Sequence, residues 1–208
     1  MAGRRLLLGL TLVVAVVLAS CTRERARRQE PPYQIGGAAC LRMLAARGIR
    51  VEPWPAPARG ACRVNTPVRA YNGATASFSP AVETSCAMLV AWSDLEPVIQ
   101  RAARSHLGSP VRTVRNFGSY SCRGINGNSS RPSLHATARA LDIAGFELAN
   151  GRVVTVLDGW RSSRAERRFL RLVRDAACRG LGVVLSPDSD RRHRDHLHID
   201  LGPWQLCG

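Results

Sequence analysis

The histidines of this chain are crowded near its C-terminus, and their spacing is typical of a metal site. Three of the five histidines, His193, His196 and His198, lie within six residues. Side chains alternate between the two faces of a β-strand, so a strand over residues 196–201 places His196, His198 and Asp200 on one face. The leucine and isoleucine side chains on the other face would pack into a core. Two imidazoles and a carboxylate would then face a cleft.

A second pair of candidate ligands lies upstream, where His135 precedes Asp142 by seven positions. Combined with the downstream His-x-His pair, it offers imidazole and carboxylate donors, a set that suits zinc. Three protein ligands leave a fourth position for water, whose pKa zinc lowers towards neutrality. The sequence therefore predicts a zinc site with an open position, the arrangement of catalytic zinc sites.

The elements that must position these residues begin with helices. Residues 38–47 have one apolar face and end before a glycine, which predicts a short helix. Residues 86–92 and 94–107 predict two separate helical pieces. Asp94 can cap the N-terminus of the second helix, and Pro97 is tolerated better in the first turn of a helix than in its interior.

A capping box, Ser163 with Glu166 three residues later, predicts a further helix that ends at Gly180. Short apolar and β-branched runs predict strands at residues 143–146, 153–157, 183–185 and 196–201, with irregular strands in 51–69. This mixture predicts an α+β domain with a small, mainly antiparallel sheet and flanking helices.

The N-terminus resembles that of an exported bacterial lipoprotein. A basic pair precedes an apolar run that is too short to span a bilayer, and Leu-Ala-Ser-Cys then resembles a lipobox ending at Cys21. Residues 1–20 are therefore the expected signal peptide, and Cys21 is the expected acylated anchor. An ordinary signal peptide with an incidental cysteine is the alternative. We expect an Arg- and Pro-rich tether over residues 21–36 and one domain over residues 37–208.

The cysteine count fits export to an oxidising compartment. Removing the anchor from seven cysteines leaves 7 − 1 = 6, so three disulfides are expected to stabilise the domain. The sequence does not choose among the possible connectivities. The simplest expectation is that neighbours along the chain pair, as Cys40–Cys62, Cys86–Cys122 and Cys178–Cys207.

The strong positive charge does not indicate nucleic-acid binding. All 30 basic residues are arginine, and signal cleavage removes two of them and no acid, which leaves 28 against 15, or +13. No RNA-binding or helix-turn-helix motif accompanies this charge, and an exported protein meets wall polymers and anionic lipid headgroups instead. We therefore expect a membrane contact through the anchor and no nucleic-acid partner.

Several motifs carry a resemblance to known families. Ser-x-His-x6-Asp followed by His-x-His resembles the LAS-type zinc peptidases, which include D-alanyl-D-alanine carboxypeptidases and murein endopeptidases and share an antiparallel sheet. Five longer motifs are YSCRGIN, SLHATARALDIAGF, VLDGW, ACRGLGVVLSPD and HRDHLHIDLGPW. Together they resemble, over about residues 38–208, the extensin-like C-terminal family of proteobacterial envelope proteins. The chain has none of the Ser-Pro-Pro-Pro repeats of plant extensins, so no structure is carried over from those.

The resemblance implies a ligand set and an active-site histidine. By position, the zinc ligands are His135, Asp142 and His198. His196 is the histidine placed to take a proton from the attacking water or to stabilise the oxyanion. It also implies a LAS-peptidase-like fold.

Two neighbours compete with His196 for the proton-transfer role. His193 completes the HxxHxH spacing of murein endopeptidases, and Asp195 lies three residues before the last ligand, where carboxypeptidase relatives carry an acid. Strand alternation favours His196. Arg123 matches an upstream arginine of these relatives that can hold a substrate carboxylate or the oxyanion. Arg139 departs from the pattern, since relatives carry a small residue or asparagine there, and it could narrow the cleft.

These expectations combine into a zinc-dependent peptidase or amidase that acts on peptidoglycan peptides in the periplasm. The alternative is a non-catalytic peptidoglycan-binding or scaffolding lipoprotein with a structural zinc ion. Thr22 follows the anchor cysteine in place of the aspartate that retains lipoproteins at the inner membrane in familiar Gram-negative systems. Outer-membrane residence is therefore favoured.

Overall fold

The computed structural model describes residues 33–58, 60–125 and 128–208. The expected signal peptide, the expected anchor Cys21 and most of the expected tether lie outside the described residues. Tyr33 and Ile35, at the end of that tether, pack against the domain, and the Tyr33 hydroxyl donates a hydrogen bond to Asp94 at 2.9 Å. Within the described ranges, no helix is both long and apolar enough to cross a membrane.

Four α-helices lie within the described residues: α1 (Gly37–Ala46), α2 (Cys86–Leu107), α3 (Val156–Gly159) and α4 (Arg164–Gly180). The first and last agree with the prediction. Ser163 caps α4, because its hydroxyl accepts the backbone N–H of Glu166 at 3.3 Å. The short helix α3 begins where the predicted strand over residues 153–157 ends early.

The prediction of two helical pieces at residues 86–92 and 94–107 is wrong, because α2 runs through Pro97 without a break. An interior proline removes a backbone hydrogen bond at a cost of about 3 kcal/mol. Burial offsets this cost, since Trp92 before the proline and Ile99 after it are both enclosed in the core and each large apolar side chain stabilises by about 1.5–3 kcal/mol. Tertiary packing therefore overrides the local signal.

The strands of the described residues form one nine-stranded sheet and one two-stranded sheet. In chain order they are β1 (Glu52–Pro53), β2 (Pro67–Asn72), β3 (Ser77–Ser85), β4 (Val111–Gly118), β5 (Gly124–Ile125), β6 (Asn128–Pro132), β7 (Ala140–Leu148), β8 (Val153–Thr155), β9 (Val183–Leu185), β10 (Leu197–Asp200) and β11 (Leu206–Cys207). The main sheet has the order β1-β2-β3-β4-β7-β10-β9-β11, with β8 on β7, and β5 pairs with β6. Only β3/β4 and β9/β11 are parallel among these pairs. The α+β class is confirmed, although the sheet is larger than expected.

The helices cover one face of this sheet. Alternate residues of β7 and β10 are buried in the same core as the apolar sides of α2 and α4, namely Leu141, Ile143, Leu197 and Ile199. Because strand side chains alternate, Asp142 and His198 between them point to the opposite face. The core thus fixes which side of the sheet receives the candidate ligands.

The six cysteines of the described residues form three disulfides, Cys40–Cys86, Cys62–Cys122 and Cys178–Cys207. The neighbour pairing is right for the third and wrong for the other two. Packing decides the connectivity, because α1 lies against α2 and so brings Cys40 to the first residue of that helix. The second disulfide ties the 3₁₀ turn Gly60–Cys62 to the segment that leads into β5.

Candidate metal centre

Strand pairing brings two of the candidate ligands, Asp142 and His198, together. The antiparallel register of β7 and β10 sets His198 directly opposite Asp142. Facing residues of an antiparallel pair have Cβ atoms about 4.5–5.5 Å apart, so their side chains can bind the same metal ion. The carboxylate and the imidazole come from distant parts of the sequence and meet because the two strands pair in this register.

His135 reaches the same point from a 3₁₀ turn, Leu134–Thr137, just before β7. Ser133 caps the turn, since its hydroxyl accepts the backbone N–H of His135 at 3.3 Å. Ala138 then adopts a left-handed conformation with φ of 51°, which redirects the chain into the strand. The His135 side chain is buried as a result, at 3% exposure.

The donor atoms of these three residues form a compact triangle. Asp142 Oδ1 lies 2.9 Å from His198 Nδ1 and 3.2 Å from His135 Nε2, and the two imidazole nitrogens are 3.1 Å apart. Tetrahedral coordination with bonds of about 2.0–2.1 Å separates donor atoms by about 3.3 Å. The triangle therefore fits around one metal ion, and these three residues are the group that could hold it within the described residues.

Hydrogen bonds behind the triangle orient both imidazoles. His135 Nδ1 lies 2.9 Å from the Ser119 carbonyl, which can only accept, so the proton is on Nδ1 and the lone pair of Nε2 faces the triangle. His198 Nε2 lies 3.3 Å from Asp200 Oδ2, which leaves Nδ1 as the donor atom. Such partners are characteristic of histidines that bind metals. Asp200, which the sequence places on the same strand face as His198, thus orients the His198 ring.

The charges at the triangle favour cation binding. Burial by itself raises the pKa of Asp142, but hydrogen bonds with His135 and His198 outweigh it and hold that pKa well below its usual value. Burial lowers the pKa of His198, whereas its hydrogen bonds with Asp142 and Asp200 raise it to about 9. Asp142 is thus anionic at neutral pH. A metal ion has to displace a proton from His198 when it binds.

His196 borders the triangle without belonging to it. Its Nε2 lies 3.7 Å from Asp142 Oδ1, and it is not one of the three mutually close ligands. Its Nδ1 lies 2.9 Å from Asp195 Oδ1. Asp195, the alternative candidate for the proton-transfer role, therefore contacts His196 and can orient its ring.

His193 lies beside the same cluster. Its ring centroid is 5.1 Å from that of His196 and 6.0 Å from that of His198. Its Nδ1 lies 2.9 Å from Asp190 Oδ1, a contact that the sequence analysis missed. The signal for it was an aspartate at the N-cap of the 3₁₀ turn Arg191–His193. Burial lowers the pKa of His193 and outweighs Asp190, which raises it.

A cavity of about 500 Å³ opens next to the triangle, and both His193 and His198 line it. Arg123 lies at its exposed edge, so the structure brings this predicted residue to the site. Arg131 and Arg192 line the same cavity and were missed, because nothing in their spacing distinguishes them among thirty arginines. Three guanidinium groups make this cavity suitable for a ligand with carboxylates.

Arg139 does not narrow this cleft. Its Nη2 donates a hydrogen bond to the Leu201 carbonyl at 2.8 Å, and it is absent from the lining of the cavity beside the triangle. Burial lowers its pKa, and the nearby Asp200 partly offsets that effect. The departure from the pattern of relatives is thus accommodated behind the site.

We expect Asp200→Asn to lower the affinity for a divalent metal ion about tenfold to a hundredfold. The asparagine oxygen can still accept the N–H groups of Val183 and Gly202, which bond Asp200 Oδ1 at 2.8 Å. Its NH₂ group would then face His198 Nε2 and favour the tautomer with the proton on Nδ1. Competition with a chromophoric chelator measures the affinity, and Asp158→Asn is the control. An unchanged affinity for Asp200→Asn would refute the orienting role.

Comparison with known proteins confirms the resemblance to the extensin-like C-terminal family. Residues 38–208 match the family model described as Extensin-like protein C-terminus. The chain is also 31% identical over 120 residues to the human NACHT, LRR and PYD domains-containing protein 12. That match covers 54% of this chain but only 11% of the human protein. No solved structure gives a significant match. Because the family model matches residues 38–208, which is more than half of the chain, the chain belongs to the extensin-like protein C-terminus family.

Proposed function

We propose that the domain is a zinc-dependent hydrolase that cleaves peptide or amide bonds in peptidoglycan peptides. The observation that carries this proposal is the open triangle of His135, Asp142 and His198 beside a cavity, with further histidines next to it. A catalytic zinc site has three protein ligands and keeps one position for water, whereas a structural site is usually closed by a fourth protein ligand.

The donor set supports zinc as the metal. Two imidazoles and one carboxylate are donors that zinc, a borderline-soft ion, accepts with tetrahedral geometry. Bound there, zinc would polarise the scissile carbonyl and lower the pKa of the attacking water. The chain would supply the remaining chemistry from side chains that border the triangle.

We assign the proton transfer to His196. Its ring borders the triangle, and Asp195 contacts Nδ1, so that Nε2 is available as a base towards the reacting water. His193 with Asp190 is the competing dyad, because it lines the cavity directly. Arg123 at the edge of the cavity would hold a substrate carboxylate.

The choice of peptidoglycan rests on the resemblance to LAS-type peptidases and on the expected export. We propose that the protein is held in the periplasm by acyl chains on Cys21, with the outer membrane favoured. Three disulfides are consistent with an oxidising compartment. The arginine-lined cavity suits peptides that carry several carboxylates.

One observation favours a different function, a scaffold that binds peptidoglycan around a structural zinc ion. His196 Nε2 lies only 3.7 Å from Asp142 Oδ1, so a small rotation could make it a fourth ligand. The site would then be closed and unable to activate water. The two functions differ in what the loss of His196 does to zinc binding.

The test is His196→Ala, assayed on purified peptidoglycan sacculi with zinc content measured on the same samples. We expect the variant to keep its zinc ion and to release muropeptide fragments about a hundredfold more slowly, as for loss of a general base. His106→Ala, which removes a histidine from the end of α2, is the matched control. Loss of zinc in His196→Ala would identify a fourth ligand. Wild-type protein that binds sacculi with full zinc and releases nothing would support the scaffold.

A further inference from the structure

The side of α4 that faces away from the core carries a row of arginines. The apolar side of this helix is buried, with Phe169 and Val173 enclosed in the core. On the other side, arginines follow at i, i+3, i+4 and i+7, a spacing that aligns side chains along one face of a helix. These four exposed residues, Arg164, Arg167, Arg168 and Arg171, are called the arginine stripe. The stripe extends over about 10 Å of helix, since each residue adds about 1.5 Å.

Acidic side chains leave the charge of the arginine stripe largely uncompensated. The two acids of α4, Glu166 and Asp175, form their ion pairs with arginines outside the stripe. Within the described residues, only Arg171 of the stripe lies near an acid, with its Nη2 at 3.6 Å from Asp188 Oδ2. Like charges at i, i+4 repel each other and destabilise a helix. The stripe thus has a cost for the fold, and an anionic partner would offset it.

The neighbouring helix α2 packs against α4 and adds to this positive charge. Arg101 and Arg104 are exposed on α2, and neither forms an ion pair with an acid in the described part of the chain. Asp94 lies seven residues before Arg101, so it is on the same side of α2, but Arg47 pairs with it at 2.7 Å. Together with the arginine stripe, Arg101 and Arg104 form what we call the basic face.

The basic face and the metal triangle lie on opposite sides of the sheet. The helices cover one face of the sheet, whereas Asp142 and His198 point to the other face. The segment that leads back to the expected anchor reaches the domain on the helix side, because the Tyr33 hydroxyl bonds to Asp94 on the exposed side of α2. A membrane that holds the expected anchor would therefore meet the helix side first.

We propose that the basic face binds the anionic phospholipid headgroups of the membrane that holds the protein, so that the metal triangle faces away from the bilayer. Arginines spread along two helices fit a layer of headgroups better than a single small anion. Acyl chains and a basic patch commonly act together to hold a protein on a membrane. This inference goes beyond the proposed hydrolase and does not depend on which reaction the metal site supports.

The test is arginine modification by phenylglyoxal, measured residue by residue with mass spectrometry on the exported protein in vesicles. The vesicles contain either phosphatidylglycerol mixed with phosphatidylcholine or phosphatidylcholine alone. We expect the stripe to react about tenfold more slowly in the anionic vesicles and to lose this protection in about 1 M salt, where the screening length is about 3 Å. Arg115 is the internal reference, because it is exposed and follows the buried Val114 on β4, so it points to the sheet face opposite the helices.

A matched pair of variants tests the stripe itself. Each arginine at an anionic surface adds about fivefold to the affinity, so Arg167→Gln should reduce the protection of Arg164 by about that factor. Arg115→Gln makes the same change of charge and should leave that protection unchanged. Flotation with phosphatidylcholine vesicles reports the acyl anchor separately.

Two results would overturn the inference. One is an equal reaction rate of the stripe in both kinds of vesicle, with or without flotation on phosphatidylcholine. The other is protection of the stripe by peptidoglycan sacculi but not by anionic vesicles, which would assign the basic face to the wall. Protection of the stripe in anionic vesicles, removed by salt and weakened by Arg167→Gln but not by Arg115→Gln, would support it.

Discussion

We expect His135→Ala and His198→Ala each to lower zinc affinity roughly 100- to 1000-fold, because each removes one of only three protein ligands. In zinc-finger peptides about 10–16 kcal/mol is shared by four ligands, or about 2.5–4 kcal/mol for each, which corresponds to this range. The loss is large because each variant breaks a triangle whose donor atoms lie 2.9–3.2 Å apart. Hydrolysis of sacculi should fall with the zinc content. Elemental analysis after dialysis and chelator competition measure both effects.

The matched control for these variants is His106→Ala, which removes an imidazole in the last turn of α2 that is not among the three ligands and should keep full zinc. Circular dichroism and thermal unfolding separate loss of metal from loss of fold. Full zinc in either His135→Ala or His198→Ala would show that the triangle is not the metal site, and both the ligand assignment and the water-activation mechanism would be wrong.

The second large effect concerns stability. Glu96→Ala should lower the free energy of unfolding by about 3–5 kcal/mol, since it removes a buried, fully bonded charge. Glu96, on α2, is 1% exposed, and its carboxylate accepts the backbone N–H groups of Ala74, Thr75 and Ala76 at 2.7–2.8 Å and the Thr75 hydroxyl at 2.9 Å. The variant leaves these four donors of the β2–β3 loop without their acceptor. Denaturant unfolding under oxidising conditions measures the change.

Glu83→Ala is the control for charge, because Glu83 forms an ion pair with Arg69 on the exposed part of the sheet. Exposed pairs contribute at most about 1 kcal/mol, so this variant should remain close to wild type. Zinc affinity should be unchanged in both, as neither residue contacts the triangle. If the free energy of unfolding of Glu96→Ala lies within about 1 kcal/mol of the wild-type value, the β2–β3 loop does not depend on the Glu96 carboxylate.

The fold explains why the site is accessible although His135 is buried and Asp142 and His198 are only partly exposed. The helices cover one sheet face and the core fills the space between, so the alternate side chains of β7 and β10 are left on the uncovered face. Asp142 and His198 therefore meet at a surface that opens to the cavity lined by His198. The alternation of side chains along β7 and β10 buries Ile143 and Ile199 on one face and places Asp142 and His198 on the other.

Local sequence determined the features that depend on neighbouring residues. The helix over residues 38–47, the capping box at Ser163 and the strand that carries His198 follow from periodicity and capping, which act within a few residues. The choice of ligand types, two imidazoles and a carboxylate, was also evident from spacing. What metal they hold and what reaction they support stay predictions.

Tertiary structure decided what depends on contacts between distant segments. Pro97 lies inside a continuous helix because the core on both sides of it outweighs a local penalty. Cys40 pairs with Cys86 because α1 packs on α2. The cavity beside the triangle brings together Arg123, His193 and Trp204, which are distant in sequence and meet only when the domain folds. Residue spacing reflects interactions between near neighbours in the chain. These features depend instead on packing between distant segments, which cannot be read from any one segment.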